Sequence, residues 1–528
     1  MNRKLSISVC LALVLIMLVS STVTFASKKA PVEIRIPVFE RGRQGQSPAD
    51  TGYWAKYIQD KVLKDLNIKL TWVPIARPNP AGTKEAFNLL IASNTAPDII
   101  TEYDISPGYM GWYGQGVFQE VPVSLVKKYA PNYYKFVGPD IINIGKIKGK
   151  LIFLPAKRPL WMGSTWVNYI RQDWLDKLGL RNPRTLDEYY EVVKAFKTKD
   201  PGGVGPERVI GIPLDLNGAT LANINYLWRP DKISDREKYL YSDVALPSLP
   251  WEPTRQALKW HNKAYNDGLI NPEFMLDTNG EKMKAAFLNG YTGFWGEYIT
   301  TDAGYIDTLM KNCPTAKLSV RYPYRRDEKV APPYYVDTPP VGLMSGINRN
   351  CKHVPEVLKY LDWLSRPENL NVLQWGTEGK TYKEVNGVRQ LLAYSGDERL
   401  LNGNNKDYYC LVAEGVDFGD DSKNLANAAC PAGDQYRYLL QDSYKYSKMP
   451  YQKPSPNVFI PAVISAQSSL GPSLVTKYRE YACRLIICKP SEFDALYEQY
   501  KAEYLAAGYQ KILDEKAKIY DEWFGKKK

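Results

Sequence analysis

Between Val32 and Thr101 the chain alternates between two hydrophobic periods, and that alternation limits the folds open to it. Val32-Glu33-Ile34-Arg35-Ile36-Pro37-Val38-Phe39 reads as a strand, with apolar side chains at every second position. Tyr53 to Asp65 changes to helical spacing, and Ile68-Lys69-Leu70-Thr71-Trp72-Val73 returns to a strand. Glu85 to Ser93 is a second helix, stopped by Asn94 and Pro97, and Asp98-Ile99-Ile100-Thr101 is a third strand. Strand, helix, strand, helix, strand implies parallel strands joined by right-handed crossovers, and so an α/β protein.

With 528 residues the chain is long enough for two or more folded units. Hydrophobic residues at 44% and charged residues at 24% suit a globular protein. Only two histidines occur, His261 in a helix-like run and His353 at a helix start. A His-based triad or His-rich metal site is thereby excluded, and both read as ordinary surface or cap residues. The formal net charge is +12, a balance that suits anionic sugars, an anionic cell wall or a lipid surface. No nucleic-acid-binding motif is present.

The N-terminus carries an export signal. Arg3 and Lys4 precede an uncharged apolar run from Val9 to Val19. Thr24-Phe25-Ala26 then offers a cleavage site, with Ser27 as the new first residue and 1–26 as the signal peptide. Cys10 stands at the start of the apolar run, not at its end, so no lipid attachment is expected. Six cysteines remain after cleavage, at 313, 351, 410, 430, 483 and 488. An even number in an exported chain permits disulfides, and Cys410 with Cys430 is the pair favoured here, across a polar loop. No Cys-x-x-Cys spacing occurs.

The most distinctive block runs from Trp166 to Gly205. Thr185-Leu186-Asp187-Glu188 fits a capping box, and Leu186, Tyr190, Val193 and Phe196 recur at helical spacing. This block resembles a signature of bacterial extracellular solute-binding proteins, in the maltose-binding-protein-like branch that binds long oligosaccharides. Asn88 to Ile100, Gly116 to Pro122, Lys148 to Pro155, Val341 to Ile347, Trp375 to Tyr382 and the closing Tyr509–Trp523 resemble further family segments in the same order. The resemblance implies a two-lobed periplasmic-binding-protein fold of type II. Parallel-rich sheets flanked by helices would be joined by a hinge of two or three crossing strands. One lobe would comprise 31–155 with 325–400, the other 156–324 with 401–528. It also implies a monomeric receptor that delivers an oligosaccharide to ABC-transporter permease subunits, with no cofactor and no catalysis.

Ligands of open α/β sheets bind beyond the carboxyl ends of strands. A sugar ring presents a C–H face that suits aromatic rings and a hydroxyl fringe that suits charged hydrogen-bond partners. The candidates at such ends are Arg41 and Arg43, then Tyr103 and Asp104, then Arg158, Trp161 and Trp166. Asp215, Asn217 and Trp228 follow, then Trp295 and Glu297, then Tyr335 and Asp337. Trp295 closes Asn289-Gly290-Tyr291-Thr292-Gly293-Phe294-Trp295, which resembles a segment ending in a sugar-facing tryptophan. Trp174, Trp260 and Trp363 lie on helical stripes and are expected in the core. Arg41, Arg43 and Arg158 together raise an acidic, uronate-containing ligand.

Relatives often carry a calcium-type loop after the signature helix. Here it reads Asp200-Pro201-Gly202-Gly203-Val204-Gly205-Pro206-Glu207. Gly202 and Val204 replace expected oxygen ligands, so Asp200 is read as the remnant of a degraded site. A peptide or other non-sugar ligand is the alternative. A secreted glycan-degrading enzyme is a more distant one, since nothing marks a catalytic carboxylate pair.

Overall fold

The computed structural model describes residues 30–525 apart from 42–46, 78–79, 104–106, 160–165, 217–223, 231–232, 244–245, 279, 327–340, 386, 393, 401–404, 416, 430–433, 450–459, 461 and 463. The signal segment lies outside these residues. Among the described residues no helix is long and apolar enough to cross a membrane.

Strand β1 (Val32–Glu40), helix α1 (Tyr53–Leu66), strand β2 (Ile68–Ala76), helix α2 (Pro80–Ala92) and strand β3 (Ile99–Glu102) follow in the order the alternation predicts. α1 ends at Asn67, whose φ of 54° reverses the chain into β2. β1 and β2 pair in parallel from Val32 opposite Ile68 to Glu40 opposite Ala76. β3 runs beside β1 in the same direction. Asp98 N donates to Arg35 O at 2.8 Å at one end, and the Tyr103 ring stacks on Phe39 at 6.1 Å at the other.

The chain continues through β4 (Phe153–Lys157), β5 (Trp166–Arg171), helix α3 (Leu186–Lys199), helix α4 (Glu252–Asn266), helix α5 (Glu281–Leu288), β6 (Phe294–Tyr298), helix α6 (Ile299–Asn312), β7 (Leu318–Val320), β8 (Val341–Ile347) and helix α7 (Val354–Leu364). Helices α8 (Ser465–Ile487), α9 (Phe493–Tyr504) and α10 (Gln510–Phe524) close it. β8 lies between β3 and β4 and is antiparallel to both, so β4 points the same way as β3. A second sheet has β5 between β6 and β7, again antiparallel.

The sheets are therefore mixed. Parallel pairing holds for β1 with β2 and for the bridges Lys157–Ala413, Thr185–Arg325, Ile210–Thr292 and Ile212–Ile270. The parallel-rich expectation stops at the β8 and β5 ladders. β8 re-enters its sheet after the chain has visited the second core, and it arrives from the opposite end.

Buried apolar side chains separate into two large cores. The first draws on 34–156, 341–373 and 408–413. The second draws on 170–294 and on the closing helices, 466–513. A smaller cluster covers the other face of β5, from Val167 and Tyr169 to Leu439 and Leu440. Residues 408–413, expected with the second lobe, pack in the first core. Lys157 N donates to Val412 O at 2.9 Å and Glu414 N to Lys157 O at 2.8 Å, which carries the pairing on beyond β4. Trp174 and Trp363 are fully buried, and Trp260 packs half-buried against the second core.

At the start of α3, Thr185 Oγ1 accepts from Glu188 N at 3.2 Å. The Glu188 carboxylate reaches back to Arg184 N at 2.8 Å, one residue earlier than the capping box predicts. Cys410 is a free, buried thiol that donates to Asp407 O at 3.3 Å; Cys430, its expected partner, lies outside the described residues. Burial among core side chains pushes that thiol up to about 12.

His261, on α4, is half-buried rather than free on the surface. Its ring meets Trp260 edge-on at 5.0 Å, and Nδ1 lies 2.8 Å from Ala257 O. Desolvation pulls its pKa down to about 4, although the contact with Ala257 O works the other way. The unfolded chain takes up a proton near pH 6.5 that the folded chain refuses until about pH 4. His261 therefore leaves stability undiminished above that range and reduces it as pH falls through the interval. In a proton NMR titration, easily read with two histidines, the His261 C2–H signal should stay in its neutral position at pH 5.5. His261→Gln should flatten the acid loss of the urea midpoint. A resonance titrating near 6.5 would overturn the assignment.

Candidate ligand-binding site

The carboxyl ends of β1, β2, β3 and β4 share one edge, and each delivers a polar or aromatic side chain there. β1 contributes Phe39 and Arg41, β2 is followed by Arg77, β3 ends in Glu102 and Tyr103, and β4 leads into Arg158. Arg77 is fixed to β1 by its N–H, which donates to Glu40 O at 2.8 Å. Parallel strands do this by construction: their last residues emerge side by side, and the loops that follow start from a rigid base.

Charge is matched pair by pair. Arg41 grips Asp407 with two bonds, Nε to Oδ2 at 2.7 Å and Nη2 to Oδ1 at 2.6 Å, and also reaches the Tyr103 hydroxyl at 3.2 Å. Arg77 Nη1 donates to Glu102 Oε1 at 3.1 Å. Arg158 donates to Glu414 Oε2 from Nε at 2.8 Å and from Nη2 at 2.7 Å. The Arg77 guanidinium lies 4.6 Å from the ring centres of both Phe39 and Tyr103. Gly342, near the start of β8, makes room for this arrangement: a Cβ there would stand 2.3 Å from Glu414 Oε2.

The electrostatics follow from burial. Desolvation opposes the Arg41 cation, but the bidentate bond to Asp407 more than offsets it and holds its pKa above the usual arginine value. The Tyr103 phenol is pushed far up, first by burial and then by the fields of Cys410, Asp407 and Glu414. It is a neutral hydroxyl at any physiological pH. The cluster offers an aromatic pair, three guanidinium groups and three carboxylates in a neutral sum. Phe39 is 2% exposed and the charged side chains are at most 13% exposed, so the cluster is a packed base that offers Tyr103 and the outer edges of its guanidinium and carboxylate groups to a hydroxyl-rich ligand.

The structure brings Arg41, Tyr103 and Arg158 together. It adds Phe39, Arg77, Asp407 and Glu414, which the sequence reading missed, and Glu102. Arg77 was within reach, because it follows a strand end by one residue. Asp407 and Glu414 were not, because they come from a distant segment with no pattern of its own.

Trp166 and Glu297 lie at the end of the second sheet where β5 begins, with Trp166 opposite Tyr298 and Val167 opposite Glu297; their side chains lie outside the description. Arg43, Asp104, Trp161, Asn217, Tyr335 and Asp337 lie outside the described residues. Trp228 is a correction: it is buried in the second core against Trp260 at 5.9 Å, because its short helix packs on α4. Asp215 stands beside Gly280 at the start of α5, away from the strand-end cluster. Trp295 is half-buried and stacks on Phe287 at 5.3 Å, with an Nε1 donor that has no partner among the described residues.

The signature of the family described as bacterial extracellular solute-binding protein matches residues 45–370, more than half of the chain. The chain belongs to this family. Lipoprotein LipO of Bacillus subtilis is 26% identical over 65% of this chain and 66% of that protein. The polygalacturonan/rhamnogalacturonan-binding protein YtcQ of the same species is 35% identical over 45% of this chain and 46% of that one. The aligned part thus spans less than two thirds of either relative. A solved HMO-binding, ABC-transporter-associated solute-binding protein from Bifidobacterium longum infantis superposes with a TM-score of 0.64 at 17% identity, over 93% of this chain and 99% of that one. The fold is that of the two-lobed solute-binding proteins.

In the Asp200 loop, Gly202 and Val204 offer no side-chain oxygen, and the Asp200 carboxylate is tied to the loop's own backbone. Both Asp200 carboxylate oxygens are occupied by backbone donors, Oδ1 by Val204 N at 3.0 Å and Oδ2 by Gly205 N at 2.8 Å. Among the described residues no group of three or more His, Cys, Asp or Glu side chains could hold a metal.

Asp407→Ala should cost about 3–5 kcal/mol in urea unfolding, because it strands a buried guanidinium. The double variant Arg41→Met with Asp407→Leu should recover most of that loss, since it removes both charges together. A single variant as stable as the parent would show that the pair holds nothing in place.

Proposed function

We propose that this chain is the substrate-binding component of an ABC importer. It captures an oligosaccharide between its two lobes and delivers it to membrane permease subunits, without chemical turnover. The observation that carries this reading is the strand-end cluster of Phe39, Tyr103 and three arginine–carboxylate pairs on the fold of a solute-binding family. The lobe division proposed is 31–155 with 325–400 against 156–324 with 401–528; the packing of 408–413 in the first core favours counting that segment with the first lobe. Export accords with the basic and apolar run of residues 3–19. The net charge of +12 accords with attraction to an anionic wall.

A second reading concerns the sugar. Likeness to YtcQ, whose name states what that protein binds, favours a uronate-containing oligosaccharide. Against it, each strand-end arginine is already matched by a carboxylate, so the cluster carries no surplus positive charge. A neutral, hydroxyl-rich chain suits that surface better.

A thermal-shift screen of residues 27–528 with neutral oligosaccharides, oligogalacturonates and peptides separates these readings. Sugar at about 100 times its Kd should add about 2.7 kcal/mol of stability, with no reducing ends released. Tyr103→Ala should weaken binding about tenfold, the scale of one lost aromatic contact. Stabilisation by peptides alone would defeat the sugar reading, and release of reducing ends would defeat the receptor reading.

A further inference from the structure

The Asp200 loop keeps the shape of an ion-binding turn. Asp200 sits in the left-handed region at φ 41°, and Gly203 and Gly205 follow at φ 68° and 95°. Something must balance the oxygens that such a turn gathers, because a buried carbonyl without a donor costs free energy.

Two lysines supply the donors. Lys197, in the last turn of α3, donates from Nζ to Val209 O at 2.7 Å and to Glu207 O at 3.4 Å. Lys177 donates from Nζ to Pro201 O at 2.8 Å. Burial lowers the Lys197 pKa, partly countered by the field of Glu207. Steric room is closed as well. A Cβ at Gly202 would stand 2.7 Å from Cζ2 of the fully buried Trp174, so no ligand-bearing side chain fits there. The Glu207 side chain is 74% exposed and pairs with Arg208 at 3.8 Å, with its carboxylate lying against Gly205.

We infer that the ammonium of Lys197 does the work of a bound cation in this loop, so that the turn is locked from within and the protein is indifferent to calcium. One positive charge at the end of α3 draws the carbonyls of residues 207 and 209 toward the helix. The Asp200 carboxylate closes the other side on the amides of 204 and 205. A lysine is suited to this because its three N–H donors satisfy several carbonyls at once. It also carries its charge on the chain and has no solution concentration to depend on.

The test uses the mature chain and needs no sugar, so it is independent of the functional reading. The thermal midpoint should be the same in millimolar calcium and in chelator. Lys197→Met should lower the midpoint by about 2–4 °C. It should also speed amide exchange at Val204 and Gly205 while leaving the β1 amides unchanged. If Met fails to fold, Lys197→Gln retains a neutral donor and should give the same pattern at smaller amplitude. A parent midpoint that rises with calcium would overturn the inference. So would a Lys197→Met protein whose midpoint and loop exchange match the parent.

Discussion

The bond between Arg41 and Asp407 joins residues 366 positions apart and fixes the geometry of everything at the strand-end edge. Arg41 stands just past β1, and Asp407 belongs to a segment that arrives after the chain has built most of both cores. A bidentate arginine–carboxylate contact has a definite plane and direction. It therefore sets where 405–414 can run, and through that segment it sets the positions of Glu414 and its partner Arg158. Burial makes the pair obligatory, since either charge left alone at that depth would be strongly disfavoured. The side chains of Arg41 and Asp407 are 13% and 0% exposed, which places the contact in the structural frame of the site as much as in its lining.

Much of this was legible in the chain. The alternation from Val32 to Thr101 located β1, β2 and β3 to within a few residues, because strand and helix periods do not mimic one another over such lengths. That Arg41, Tyr103 and Arg158 stand just past strand ends could be read without any view of the fold. Two kinds of information were missing. Strand direction in the β8 ladder depends on where the chain has travelled between visits, and in the β5 ladder on pairing between segments distant in sequence; no local pattern records either. Asp407 and Glu414 lie beside Tyr408 to Ala413, a short apolar stretch whose burial in the first core is a tertiary fact. Trp228 went astray for a related reason: a tryptophan past a strand end and a tryptophan filling a core look alike in sequence.

The Asp200 loop and the strand-end cluster obey the same rule by opposite routes. Both gather oxygen acceptors into a small space. In the loop, two lysines of the chain meet the carbonyls, and the geometry is closed. At the strand ends, arginines meet carboxylates pairwise, with aromatic faces between them. The charges are balanced there, yet hydroxyls and guanidinium edges remain of a kind that a polyhydroxylated ligand can join.

That balance bears on how a two-lobed protein could respond to its ligand. The chain leaves the first core at Lys157–Arg158 and again at Ala413–Glu414. These exits are bridged in parallel and tied by the Arg158–Glu414 pair. Two crossings fastened together at their base must bend together, so rotation between the cores is confined to the segments that follow. A ligand bound to Tyr103 and Arg41 on one side and to the β5–β6 end on the other would favour whichever rotation lets it touch both. Its influence on the equilibrium is limited to the difference in its contacts between the two arrangements. A rigid, pre-paired strand-end edge serves this well. Little of the ligand's binding energy is then consumed in ordering that edge, and more is left to act on the rotation itself.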